Sequence, residues 1–171
     1  MRTLVSDPPP AEFEELLKRR RRSGADRHDE VWDGVHRMMP SPGYAHWWLD
    51  EQLAELLRPL ARASDLVSGG AFNLGDKDDY RVPDRGLHRP EDRSDWQHTA
   101  AVVIEILSPG DTSWDKLPFY AVHQVDELLM VDPARRTVDW LALDQGEYRP
   151  IERSRLIDLG PTELAERINW P

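Results

Sequence analysis

The stretch AAVVIEILSPGDTSWDKLPFY, residues 100–120, decides how the rest of the chain is read. Residues 100–107 form a nearly continuous apolar run with β-branched side chains, the pattern of a central strand buried on both faces. Only Glu105 interrupts it. A carboxylate in such a strand is costly to desolvate unless it meets a cation, a metal or several hydrogen-bond donors. Ser108-Pro109-Gly110 ends the strand, because proline cannot donate to a ladder and glycine permits a tight reversal. Asp115 then predicts a helix N-cap, with Lys116 and Leu117 in the first turn and Pro118 tolerated there. Lys116 would oppose the helix dipole at that position. A carboxylate inside a strand and a lysine opening the next helix are each unfavourable alone. Both make sense if they point into one site.

Composition bounds what that site can serve. A chain of 171 residues with 39% apolar and 32% charged residues suits one globular domain with a proper core. Cysteine is absent, which removes thiolate chemistry and fits a reducing cytoplasm. The segment MRTLVSDPPP lacks the hydrophobic core of a secretory signal, and no apolar run is long enough to cross a bilayer. The net charge of −10 argues against binding nucleic acid through a broad basic surface, while leaving room for a small basic cleft. Acidic residues that hold a divalent metal add to that negative count.

Taken in order, residues 1–10 read as a flexible tail and residues 11–171 as the folded domain. A helix is predicted from Glu12 to Arg22, with Phe13, Leu16 and Leu17 as its stripe and Ser23-Gly24 as its stop. Its end, KRRRR at 18–22, is either a solvated helix terminus or a phosphate-contacting patch. EVWDGVHRMM at 30–39 predicts a β-hairpin turning at Asp33-Gly34. A long helix follows from Tyr44 to Ala63, with Pro59 expected to kink or end it. Strands are then expected over 65–74, broken at Gly69-Gly70, and over 80–87, broken at Pro83. A charged turn at 75–79 separates them, and residues 89–98 form a polar loop. Beyond the central strand and the helix 116–124, strands are predicted at 127–131, 137–143 and 147–150. A closing helix over 162–168 is expected to be capped by Thr162. This order describes an α/β domain with a mixed sheet flanked by helices.

Asp84 follows Pro83 about twenty residues before Glu105. Two carboxylates at the ends of neighbouring strands, with a lysine nearby, are the parts of a Mg²⁺- or Mn²⁺-dependent phosphodiester hydrolase. Spacing alone equally allows Asp84 as a turn residue, Glu105 paired with an arginine and Lys116 exposed.

Several motifs in one order add to this. RVPD (81–84), VVIEILSP (102–109), Asp115-Lys116 followed by Tyr120, and ELLMVDP (127–133) resemble the Uma-type family of restriction endonucleases in the PD-(D/E)XK nuclease superfamily. EVWDG (30–34) and PSPGYAH (40–46) extend the resemblance from about Phe13 onward. It implies a restriction-endonuclease-like fold, a metal held by Asp84 and Glu105, DNA as substrate, and catalysis by Asp84, Glu105 and Lys116. The usual lysine two residues after the glutamate is missing, since Leu107 stands there. Lys116 fits the position to which the family moves it. Glu30 and His46 also match recurring positions: Glu30 as an accessory metal residue or a surface hairpin residue, His46 as a packing, capping or proton-transfer residue. The other five histidines show no zinc-ligand spacing. The alternatives are a non-catalytic interaction module that keeps the fold, and a phosphoesterase acting on small substrates.

Trp32, Trp47, Trp48, Trp114 and Trp140 are expected in the core or in dimer contacts. Trp114, beside Lys116, could instead line the site or stack on a base. The apolar hairpin and the tryptophans predict a homodimer, since one small acidic domain offers little surface to a duplex.

Overall fold

Strand β8, Val102–Ile106, is buried along its whole length and lies in the middle of a six-stranded sheet. The other strands of that sheet are β3 (Val67–Gly69), β6 (Arg85–His88), β9 (Glu127–Asp132), β10 (Thr137–Asp144) and β11 (Glu147–Pro150), in the order β11-β10-β9-β8-β6-β3. Only β8 and β9 run parallel, joined by a helical crossover; the remaining pairs are antiparallel. The structure, a computed structural model, describes residues 10–91, 94–110 and 112–171. Residues 1–9 of the expected tail therefore lie outside the described residues.

Alternation along β8 sorts its side chains onto two faces. Val102, Ile104 and Ile106 pack with Leu49, Leu53, Leu57 and Ala61 of helix α2 (Tyr44–Ala63) and with Leu164 of α4 (Pro161–Arg167). Val103 faces the other way, against Tyr120 of α3 (Leu117–Val122) and Leu74 of β4 (Asn73–Asp76). Each fully buried leucine in these layers contributes about 2 kcal/mol of transfer free energy. Glu105 shares the Val103 face, at the end of the strand.

A second, five-stranded sheet has the order β2-β1-β5-β4-β7, with β1 at Glu30–Trp32, β2 at Val35–Arg37, β5 at Asp79–Arg81 and β7 at Trp96–Gln97. The Asp33-Gly34 turn forms as expected, both residues taking positive φ (48° and 76°), the conformation two-residue hairpins demand. Helix α1, Ala11–Ser23, ends on Gly24 in the left-handed conformation. Its basic end is partly structural. The Arg20 guanidinium grips Asp29 at 2.5 and 2.7 Å and reaches the carbonyl of Ala25, while Arg19, Arg21 and Arg22 stay exposed.

Several local expectations are corrected. The segments on either side of Gly69-Gly70 and of Pro83 are not interrupted single strands. In each case the chain passes from one sheet to the other. Pro59 neither ends nor shortens α2: it is exposed, so the carbonyl its missing N–H leaves unbonded faces water. Asp115 is not a cap but lies within a 3-10 turn, Ser113–Lys116, that leads into α3. Gly160, not Thr162, occupies the N-cap of α4. The loop expected over 89–98 contains β7, which pairs parallel with β4. No helix among the described residues is long and apolar enough to cross a membrane.

Candidate active site

Strands β6 and β8 pair with Arg85 opposite Ile104. One step further in the same register, Asp84 faces Glu105. Asp84 Oδ2 accepts the main-chain N–H of Ile106 at 2.7 Å, which fixes its carboxylate beside the end of β8. Both acids line a pocket of about 640 Å³, together with Glu30, His46, Ser113 and Lys116. The Asp84–Glu105 pairing expected from sequence is therefore brought together.

Glu105 is 2% exposed and takes its partners from the following helical segment. Its Oε1 accepts the Lys116 ammonium at 3.0 Å and the Tyr120 hydroxyl, and its Oε2 accepts the Ser113 hydroxyl at 3.3 Å. Burial pushes its carboxyl up to about 7; Lys116 opposes that rise, and the neighbouring charges of Asp84 and Glu30 reinforce it.

Lys116, 4% exposed, lies between two acids, its Nζ 2.9 Å from Glu30 Oε1 and 3.0 Å from Glu105 Oε1. Burial alone would lower its pKa, but Glu105 and Glu30 reverse that and hold it above the ordinary value. The residue stays an ammonium. Its poor position against the helix dipole is offset by these two carboxylates.

Glu30 is 1% exposed, so the surface-hairpin alternative falls. Besides Lys116 it accepts the Val82 N–H at 2.8 Å and the Trp32 indole N–H at 2.6 Å. His46, at the start of α2, caps nothing: its Nε2 lies 3.0 Å from Asp84 Oδ1. Burial lowers the imidazole pKa, and the hydrogen bond and charge of Asp84 outweigh it, leaving a net rise.

Three participants were not read from the sequence as site residues: Tyr120, Ser113 and Trp32. For Trp32 a signal existed. A two-residue turn at Asp33-Gly34 fixes the hairpin register, and residues two apart on a strand share a face, so Trp32 must accompany Glu30. Trp140 is buried in the core as expected. Trp114 is 44% exposed and does not border the pocket, so it neither packs centrally nor lines the site.

A mixed sheet that presents a carboxylate from a strand, another from just before the neighbouring strand and a helix-borne lysine to one pocket is the restriction-endonuclease-like arrangement. The chain belongs to the Uma2 family, described as "Putative restriction endonuclease", whose model matches residues 10–166. Among solved structures it is similar to a "putative nuclease belonging to DUF820" from Anabaena variabilis, with a TM-score of 0.65 and 15% identity over 81% of this chain and 90% of that one. No curated protein matches it.

Proposed function

We propose that the protein is an endodeoxyribonuclease that hydrolyses phosphodiester bonds in DNA with Mg²⁺ or Mn²⁺, acting in the cytoplasm. The observation that carries this reading is the apposition of Asp84, just before β6, and Glu105 on β8 at one pocket, with the Lys116 ammonium on Glu105. The donor set fits a hard cation. Among the described residues there is no group of three or more metal-ligating side chains, so an all-protein cage is not offered. Two carboxylates, with water and phosphate completing the shell, are what Mg²⁺ accepts. Asp84 and Glu105 would hold the ion.

When bound, the cation polarises a phosphoryl oxygen and acidifies an attacking water. The chain's own groups do the rest. Lys116, kept cationic, places positive charge where negative charge builds on the phosphate, and it is not a base. Glu30, fixed by Val82 and Trp32, holds the ammonium in place. His46 and the Ile106 amide orient Asp84. We also propose a homodimer, for which Tyr44 and Trp47, exposed at the start of α2, offer apolar surface. Light scattering that finds only monomer at high micromolar concentration would refute the dimer.

The test of activity joins binding to cleavage. Mn²⁺ should raise the melting temperature of the wild type and not of Asp84→Ala, and the wild type should nick or linearise plasmid DNA. A wild type that cleaves no plasmid, single-stranded DNA or RNA with either ion would sink the nuclease reading and leave the interaction module.

A further inference from the structure

Arg81, the first residue of RVPD, has no part in the chemistry above, yet it is 5% exposed and carries its charge into the interior. Its guanidinium lies between two aromatic rings, the carbon 4.4 Å from the centroid of Trp32 and 3.9 Å from that of Phe119. At its edge, Nη1 donates to the carbonyls of Val31 at 2.8 Å and Tyr80 at 3.2 Å and to Asp79 Oδ1 at 2.7 Å. Nε meets no partner among the described residues. A buried cation with one partly exposed counter-ion is costly, and an apolar side chain would fill the same slot with less desolvation. What an aliphatic chain lacks is a flat face for each ring and an edge that fixes a main-chain carbonyl.

The two rings belong to the two elements that close on the lysine. Trp32 is two residues from Glu30 on β1, and Phe119 lies about one helical turn beyond Lys116. The Glu30–Lys116 ion pair and the Trp32–Arg81–Phe119 stack are therefore successive ties between the same hairpin and the same helical segment. Phe119 is backed on another side by Gly75, where a Cβ would come within 2.8 Å of the ring. The main chain next to Arg81 serves the clamp as well, since the Val82 N–H donates to the Glu30 oxygen that meets Lys116.

We propose that Arg81 is a positioning residue. Wedged between Trp32 and Phe119, it fixes the spacing of hairpin and helix at which the Lys116 ammonium is closed between Glu30 and Glu105. Its effect on cleavage rests on the nuclease reading above, whereas its effect on the lysine does not, so the two are measured separately. The chain has three lysines, and Lys18 and Lys77 are exposed, which makes them internal standards. Folded protein is treated briefly with a water-soluble acetylating reagent. Labelling of each lysine is then read by mass spectrometry for the wild type, Arg81→Ala, Arg81→Met and Glu127→Ala.

Arg81→Ala removes the wedge and should raise Lys116 labelling, relative to Lys18 and Lys77, at least about fivefold through local opening of the clamp. Arg81→Met fills the slot without the planar charge and should fall between that variant and the wild type. Glu127→Ala, which loosens the opposite face of the sheet, should leave Lys116 as protected as in the wild type. In cleavage with Mn²⁺, Arg81→Ala should lose about tenfold in kcat with KM nearly unchanged, because a misplaced catalytic group is felt in the transition state. Unchanged Lys116 labelling in both Arg81 variants would overturn the proposal. So would an equal rise in Glu127→Ala, since exposure of the lysine would then mark lost stability alone. If Arg81→Ala does not fold, Arg81→Met carries the comparison. A wild type that cleaves nothing, with Lys116 released in Arg81→Ala, would overturn the nuclease reading and keep the positioning role.

Discussion

Two buried glutamates on adjacent parallel strands, Glu105 on β8 and Glu127 on β9, solve the same physical problem in opposite ways. Both are at most 2% exposed. Glu127 projects to the α2 face and is met by neutral donors: the Trp140 indole N–H at 2.9 Å, the Ser154 hydroxyl at 2.6 Å and the Arg155 amide at 2.7 Å. Ser154 in turn accepts the amides of Leu156 and Ile157, so this carboxylate fastens the chain segment after β11 to the sheet. Glu105 projects to the opposite face and is met, besides the Ser113 and Tyr120 hydroxyls, by one cation shared with Glu30, beside a third acid, Asp84. Glu127 is satisfied by the fold. Glu105 sits among like charges that a divalent cation would relieve. Burial alone therefore does not mark a functional carboxylate; the sign and number of its neighbours do.

The contrast predicts separable defects. Glu127→Ala orphans two buried donors and one part-buried one and should cost about 3 kcal/mol or more, lowering the melting temperature by roughly 6–12 °C in a domain of this size. The Mn²⁺ response should survive. A variant with normal melting and lost cleavage would place Glu127 in the chemistry and break the comparison.

Lys116→Met should lower the cleavage rate at least about a hundredfold, or ~2.7 kcal/mol, while metal binding remains. Because Glu30 and Glu105 then lack their shared cation, Mn²⁺ should raise the melting temperature by more than in the wild type. Undiminished cleavage would reduce Lys116 to a structural counter-ion.

Tyr120→Phe sharpens the comparison at the smallest scale. The Tyr120 hydroxyl donates to Glu105 and so favours its ionised form. Without it the carboxyl moves further up, and the acid limb of the pH–rate profile should shift to higher pH by up to about 0.7 unit, the equivalent of ~1 kcal/mol. A limb that stays put or moves down would show that Glu105 ionisation does not govern the rate.

Much of this was legible in the sequence because it is written locally. The apolar run around Glu105, the Asp33-Gly34 turn and the stripe of α2 each declare an element through near neighbours. Glu105 could be singled out because an acid in an apolar strand is anomalous wherever it occurs, whereas Asp84 was marked by its place after Pro83 and by the resemblance carried by RVPD. What stayed hidden depends on distant partners. The chain leaves one sheet for the other at Pro83, and only the pairing of β5 with β1 and of β6 with β8 reveals it. Glu127 looked like the polar start of an ordinary strand, since its donors come from residues 13 to 28 positions later. Tyr120 was part of a motif without a role of its own, until its hydroxyl was found on Glu105. Pro59 looked like a kink or a helix end because sequence does not say which side of α2 meets water.

The Lys116 clamp has a consequence for taking the protein apart. Glu30 lies on the first hairpin of one sheet, whereas Asp84, Glu105 and Lys116 come after the exposed turn at Lys77 and Asp78 between β4 and β5. Opening the backbone at that turn would put Glu30 on one piece and its lysine on the other. The first piece would hold a lone acid and the second an ammonium with half its counter-charge. Rejoining the pieces requires the Val82 amide to find Glu30 again, and with it restores the whole charge balance. Under the proposed nuclease activity, two fragments cut at this turn should be silent apart and cleave only once their halves are brought together.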